Sequence, residues 1–94
     1  MPKYLLEVSY TAEGAKGLMK DGGSKRQQAA RTLIESLGGK MEAFYFAFGE
    51  IDALVIADFP DQTSAASASV TLAGSGAVTS KVTVLLTPAE IDQR

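Results

Sequence analysis

The sequence contains no cysteine and no histidine. These absences exclude disulfide bonds, a thiolate nucleophile, Cys/His zinc sites and histidine-ligated haem, together with the side chain that most often exchanges protons near neutral pH. No group of carboxylates has the spacing of metal ligands either, so we expect no metal and no cofactor. Because no disulfide is available, side-chain packing must stabilise the fold.

Long apolar runs and a strong charge of either sign are also missing. No run approaches the roughly 20 apolar residues that span a bilayer, and the residues after Met1 enter a strand-like run rather than a signal peptide. The net charge is −2, and only Lys25 and Arg26 are adjacent among the basic residues. We therefore expect a cytoplasmic protein that binds neither nucleic acid nor membrane.

The pattern of apolar residues and turn signals predicts one α+β domain over residues 1–94. Of these residues, 46% are hydrophobic and 21% are charged, as in ordinary globular proteins. The order β-α-β-β-α-β predicts the ferredoxin-like fold, with both helical segments on one face of a four-stranded antiparallel sheet. The predicted strands cover 4–10, 40–48, 51–59 and 78–87, and the predicted helices lie at 11–22, 24–38 and 62–72, with a capped turn at 87–90.

The helical segment after Gly22-Gly23 carries a one-sided apolar stripe. Ser24 and Gln27 have the spacing of a capping box, which predicts a helix start at Ser24. The stripe contains Ala30, Leu33, Ile34 and Leu37. The polar residues expected to lie largely elsewhere on the helix are Lys25, Arg26, Gln28, Arg31 and Glu35. The glycines before the helix could receive an anion, but a simple helix break is the better interpretation because no phosphate-loop spacing is present.

Gly49-Glu50 separates two strand-like runs and predicts a tight hairpin. The resulting register pairs Phe46 with Ala53, Phe44 with Val55 and Tyr45 with Leu54, so both faces of the hairpin are apolar. The first face carries Phe44, Phe46, Phe48, Ile51 and Val55, and the second carries Met41, Tyr45, Leu54 and Ile56. Helices cover one face only, so we expect the other face to pair with a second copy in a homodimer or higher homo-oligomer.

Several segments of the sequence share a pattern with a known family. They are Pro2 to Leu5, Tyr10 to Gly14, Leu37 to Lys40, Phe44 to Asp52 and Leu85 to Glu90. Together they resemble the GYD-domain family over nearly the whole chain. In the family's Gly-x-Tyr-Asp motif, Gly49 and Asp52 are present but Ile51 replaces the tyrosine, so no role of that tyrosine carries over. The resemblance implies a dimeric α+β barrel, within a superfamily that includes isomerases, monooxygenases and haem-binding proteins, and it selects no activity among them.

Three residues are candidates for contact with a small organic ligand: Tyr10, Tyr45 and Asp52. Asp52 lies diagonal to Tyr45 in the predicted register, where a carboxylate and a phenol could form an acid/base or ligand-orienting pair. The structural alternatives are an Asp52 that caps the hairpin turn and a Tyr10 at the edge of the core. Glu42 alternates with the phenylalanines, and it either has a raised pKa in a buried position or reaches solvent from a strand end.

Two functional hypotheses follow, with a structural alternative. The first is a homo-oligomeric binding or assembly module with a small-molecule pocket between sheet and helices. The second is a cofactor-independent enzyme that acts on a small organic molecule through Tyr45 and Asp52. The absence of histidine and cysteine favours the first. A purely structural dimer without a pocket is the alternative to both.

Overall fold

The computed structural model describes residues 1–47 and 49–93, which form an antiparallel sheet with helices packed against one of its faces. The strands follow the order β2-β3-β1-β4, so β1 and β3 are central and β2 and β4 are the edges. The elements are β1 Lys3–Tyr10, α1 Ala12–Asp21, α2 Gly23–Ser36, β2 Lys40–Phe46, β3 Ala53–Asp58, α3 Gln62–Gly74, β4 Val78–Leu85 and α4 Pro88–Asp92. The predicted α+β, ferredoxin-like fold is confirmed.

Side-chain caps determine where three of the helices begin. The Thr11 hydroxyl accepts a hydrogen bond from the Gly14 N–H at 3.2 Å, and the Asp61 carboxylate accepts one from the Ser64 N–H at 2.8 Å. Thr87 and Glu90 form a reciprocal capping box at α4. Each cap satisfies backbone donors that the first turn of a helix leaves without partners.

The predicted capping box at Ser24 is wrong. Helix α2 begins one residue earlier, at Gly23, and its N-cap Gly22 makes no side-chain capping hydrogen bond. Gly22 has φ +84°, a conformation that glycine adopts without strain, and its N–H donates to the Leu18 carbonyl at 2.8 Å. This glycine therefore ends α1 and starts α2 in a single residue, which places Ser24 already inside the helix.

The hydrophobic core is larger at one end of the sheet than at the other. The larger cluster joins the start of β1 and the end of β3 to both long helices through Ile34, Ala65 and Ala68. The smaller cluster contains only three buried residues, Val8, Ala53 and Val78, with half-buried neighbours such as Phe44 and Phe46 around them. The end of the sheet where β1 finishes and β3 begins is therefore less completely filled.

The predicted hairpin register is confirmed between Phe46 and Ala53, Tyr45 and Leu54, and Phe44 and Val55. The Phe48 part of that prediction lies outside the described residues. The rings of Phe44 and Phe46 meet edge to face with their centroids 5.1 Å apart, on the face that the helices cover.

The prediction that Met41 shares a face with Tyr45 is wrong. The register shifts between Met41 and Ala43, and Glu42 is the extra residue of this β-bulge. The bulge turns Met41 into the core, where its side chain is only 8% exposed. Glu42 is exposed and pairs with Lys3 Nζ at 2.6 Å, so its predicted solvated position is correct. Lys3 Nζ donates hydrogen bonds to the carboxylates of Glu42 and Asp58, and these bonds raise the pKa of Lys3.

Gly14 permits the close approach of α1 to the start of β4. A methyl group at this position would collide with the backbone carbonyl of Ala77, which accepts hydrogen bonds from the N–H and the hydroxyl of Thr11. We expect Gly14→Ala to lower the free energy of unfolding by roughly 1–3 kcal/mol in urea titrations, because the clash is with backbone that cannot rotate away.

Gly74→Ala is the matched control for that substitution. Gly74 is the last residue of α3, and a methyl group there meets open space. We expect it to leave the stability unchanged or to raise it by up to about 1 kcal/mol through helix propensity. Equal destabilisation by both substitutions would contradict the proposed role of Gly14.

Candidate functional site

A cleft of about 230 Å³ opens between α2, α3 and the sheet. It lies at the less completely filled end of the sheet, above the end of β1 and the start of β3. Most of its surface is apolar, and Tyr10, Arg26 and Ser75 supply the polar side chains. The apolar lining consists of Val8, Ala29, Ala30, Phe44, Ala53, Val55, Leu72, Ala77 and Val78.

The cleft results from the positions of the two long helices. Helix α2 packs on edge strand β2, and helix α3 packs on the opposite edge strand β4. Both helices contribute to the larger core cluster, α2 through Ile34 and α3 through Ala65 and Ala68. Toward the smaller cluster the central strands present the short side chain of Ala53, which leaves space between the helices unfilled.

Arg26 lies on the cleft side of α2, four residues before Ala30, which also lines the cleft. The prediction that Arg26 lies away from the apolar stripe is therefore wrong for this residue, because positions i and i+4 share a helix face. Its Nη2 atom donates to Asp21 Oδ2 at 2.7 Å. Its Nε atom is buried and has no hydrogen-bond partner within residues 1–47 and 49–93.

Arg26 is the polar residue that sequence reasoning missed. The sequence predicts that Arg26 lies largely away from the apolar stripe, with the other polar residues of the helix. The available signal was its spacing, since Arg26 extends the stripe of Ala30 and Ile34 by one turn toward the helix start. A long cationic side chain at such a position can bury its stem while its head group meets a partner. The partner here is Asp21, at the end of α1.

Tyr10 lies at the mouth of the cleft, at the end of β1, and its side chain is half-buried. Burial raises the pKa of its phenol. The nearby charge of Arg26 opposes this rise in pKa and that of Asp52 adds to it. The hydroxyl therefore stays protonated at neutral pH and can donate a hydrogen bond. Tyr10 is also the residue shared between the cleft and an outer groove.

The outer groove is more open, with a volume of about 610 Å³. It runs between α1, the start of α2 and the end of the β2–β3 hairpin that contains the turn. Its lining consists of Tyr10, Ala15, Leu18, Gly23, Phe46, Ala47 and Asp52. The structure therefore brings two of the predicted site residues, Tyr10 and Asp52, to one groove that adjoins the cleft.

The Asp52 carboxylate extends the hydrogen-bond ladder between β1 and β3. Its Oδ2 atom accepts from the Tyr10 N–H at 2.7 Å, while its own N–H donates to the Val8 carbonyl at 2.9 Å. The predicted structural alternative placed this carboxylate on the backbone of its own turn, but it reaches the neighbouring strand instead. One carboxylate oxygen is thus engaged in holding the strands together.

Tyr45 lies apart from the cleft and the groove. Its side chain is 63% exposed and stands on the face of the sheet that the helices leave open. On that face it neighbours Leu54, its cross-strand partner. The predicted pairing of Tyr45 with Asp52 at a pocket has no support from the cavities of the described residues, since neither cavity near Asp52 includes Tyr45. Contact of Tyr45 with a ligand stays a prediction.

The family model for the GYD domain matches residues 4–94. The chain belongs to the GYD domain family. A search of curated proteins and a search of solved structures gave no match. Membership of the GYD family is therefore shown by nearly the full length of the chain, and the chemistry of this GYD domain must be argued from its own residues.

The described residues carry neither a cluster of metal ligands nor a membrane-spanning helix. Within residues 1–47 and 49–93, no three residues of the histidine, cysteine and carboxylate types lie together as metal ligands would. In the same part of the chain, every helix is too short or too polar to cross a bilayer.

The hydrogen bond between Asp52 and Tyr10 makes a testable contribution to stability. We expect Asp52→Ala to lower the free energy of unfolding by about 1.5–3 kcal/mol, because the Tyr10 N–H loses a charged acceptor in a half-buried position. Hydrogen exchange at the Tyr10 amide should accelerate in the same variant. Asp52→Asn keeps an oxygen acceptor and should lose less stability.

Asp92→Ala is the control for the loss of one negative charge, because Asp92 is exposed in α4. Denaturant titrations of the three variants and the unmodified protein would measure the difference. If Asp52→Ala costs no more stability than Asp92→Ala, the carboxylate does not hold β1 to β3.

Proposed function

We propose that this GYD domain is a homo-oligomeric binding module that holds a small, largely apolar organic molecule in the cleft between the sheet and its helices. The observation that carries this proposal is the cleft itself. It is lined mainly by apolar side chains, with Tyr10, Arg26 and Ser75 as its polar groups, a composition typical of small-molecule sites.

The size of the cleft limits the ligand to a single ring or a molecule of similar bulk. An apolar cavity of about 150 Å³ accommodates benzene. The cleft, at about 230 Å³, has room for one ring with a short substituent. A deeper void of about 20 Å³ below it, bounded by Leu6, Ile34 and Ala68, is too small to extend the ligand further.

Filling the cleft tests the ligand site. Ala30 lines both the cleft and the void beneath it, so Ala30→Leu places extra carbon atoms where a ligand ring would lie. With α-methylstyrene as an apolar probe, we expect saturable binding to the unmodified protein and affinity at least about tenfold weaker in Ala30→Leu. Chemical-shift changes in a ¹⁵N-labelled sample should centre on Ala53, Val55 and Ala77.

Gln28→Leu is the matched control, since Gln28 is exposed on the same helix and lines neither cavity. It adds a similar side chain outside the cleft and should leave probe binding unchanged. Equal loss in both variants, or shifts that do not map to the cleft, would count against the ligand site.

The oligomeric part of the proposal depends on the face of the sheet that the helices leave open. This open face carries Leu5, Ala43, Tyr45, Leu54, Ile56 and Leu85, which form an apolar surface across all four strands. Glu7 and Lys81 are cross-strand partners on the same face. A two-fold symmetric contact pairs a surface with itself, and a surface with both charge signs can be complementary to its own copy.

A charge on the open face tests the oligomer. We expect the unmodified protein to be a dimer or higher oligomer at micromolar concentration and Tyr45→Glu to shift it toward the monomer, because a desolvated carboxylate opposes association. Analytical ultracentrifugation would measure both. Met19→Glu places the same charge on an 86% exposed residue of α1 and should leave the assembly intact.

A monomeric unmodified protein would overturn the oligomeric part of the proposal. An unaltered assembly in Tyr45→Glu would show that copies associate through another surface. Neither result would affect the ligand site, which lies on the opposite face of the sheet.

A further inference from the structure

The cleft and the outer groove meet at the side chain of Tyr10, which lines both of them. Tyr10 is two residues after the buried Val8 in β1, so its ring points to the same face of the sheet, the face that the helices cover. On that face the ring packs against the smaller core cluster. A Cβ atom at Gly14 would lie 2.9 Å from Cδ1 of the ring, so the ring also extends as far as α1.

Two further aromatic rings, both on β2, lie at the same boundary. Phe44 lines the cleft and Phe46 lines the outer groove. Their rings are in contact edge to face, with centroids 5.1 Å apart. The boundary between the two cavities is therefore aromatic on β1 and on β2, the strands on either side of β3.

The surroundings of the phenol also place it between the two cavities. Burial raises the pKa of Tyr10, and the charges of Arg26 and Asp52 modify that rise in opposite directions. Arg26 lines the cleft, whereas Asp52 lines the outer groove. The Asp52 carboxylate also accepts the hydrogen bond from the Tyr10 N–H, so the backbone that carries the ring is held to β3.

We propose that Tyr10 determines the length of the ligand that this GYD domain binds. Its ring ends the cleft on the side of the outer groove, so one ligand ring is buried and a second, linked ring would collide with the tyrosine. The ligand is therefore monocyclic, although the groove beyond Tyr10, at about 610 Å³, has room for another ring. This inference rests on the proposed ligand site and names the residue that selects its ligand by length.

Removal of the tyrosine ring tests this role. In the unmodified protein we expect biphenyl to bind no more tightly than α-methylstyrene, because its second ring cannot enter the groove. In Tyr10→Ala the cleft and the groove join, and the second ring can be buried there. Biphenyl should then bind at least about tenfold more tightly than α-methylstyrene, as measured by titration of both probes.

Chemical-shift mapping in ¹⁵N-labelled samples shows where the second ring lies. When biphenyl binds to Tyr10→Ala, the amide of Val55 in the cleft and those of Ala15 and Ala47 in the groove should all shift. In the unmodified protein biphenyl should leave the amides of Ala15 and Ala47 unchanged. A gain in affinity without shifts in the groove would contradict the proposed position of the second ring.

Two further variants separate the position of the ring from other effects of the substitution. Tyr10→Phe keeps the ring and removes the hydroxyl, so it should bind biphenyl no more tightly than α-methylstyrene. Leu72→Ala enlarges the cleft from its α3 wall, and Leu72 does not line the groove. Biphenyl bound to Leu72→Ala should therefore leave the amides of Ala15 and Ala47 unchanged.

The outcomes separate the role of Tyr10 from the ligand site on which it depends. If α-methylstyrene does not bind at the cleft of the unmodified protein, the ligand site itself is wrong. If it binds there and Tyr10→Ala gains no affinity for biphenyl, the ligand site stands and the role of Tyr10 is wrong. Tenfold tighter binding of biphenyl than of α-methylstyrene by the unmodified protein would also overturn that role, and this comparison does not depend on how a substitution affects folding.

Discussion

The separation of the two long helices is the constraint on which the rest of the structure depends. Helix α2 packs on one edge strand and α3 on the other, so the two central strands are covered fully only where Ile34, Ala65 and Ala68 bring the helices together. At the opposite end, the short side chain of Ala53 cannot fill the space between helices whose backbones are already fixed. Larger side chains there would close the core. Without them a cavity remains above the two central strands, which are hydrogen-bonded on both sides.

The polar groups at this cavity come from parts of the chain that are far apart in sequence, and backbone geometry brings them together. Gly22 ends α1 and starts α2 within one residue, which sets Asp21 beside Arg26 across the junction. Asp52 holds the end of β1 to the start of β3 and so fixes Tyr10 at the mouth of the cleft. A ligand would therefore meet donors whose positions are set before it binds. Pre-positioned donors reduce the entropy that binding costs.

Much of the fold could be predicted from the sequence, because strong local signals agree with one another there. The glycines between elements, the capped turn at 87–90 and the alternation of the hairpin all indicate the same topology. The face of Met41 could not be predicted in this way, since a β-bulge adds one residue and leaves no periodic signal of its own. The position of Arg26 at the cleft was missed for a related reason. Its charge alone assigns it to solvent, whereas the cleft and the neighbouring Asp21 are formed only when the chain folds.

The presence of Ile51 in place of the motif tyrosine can be understood from its neighbour, Asp52. The Asp52 carboxylate accepts a hydrogen bond from the Tyr10 N–H, where a backbone carbonyl would otherwise be the acceptor in a sheet. This hydrogen bond depends on the carboxylate and on the strand register. Ile51 precedes β3 and takes no part in that bond. The link between the hairpin and β1 therefore persists without an aromatic residue at position 51. That link positions Tyr10, and Ile51, the residue by which this chain departs from the motif, lines neither the cleft nor the groove.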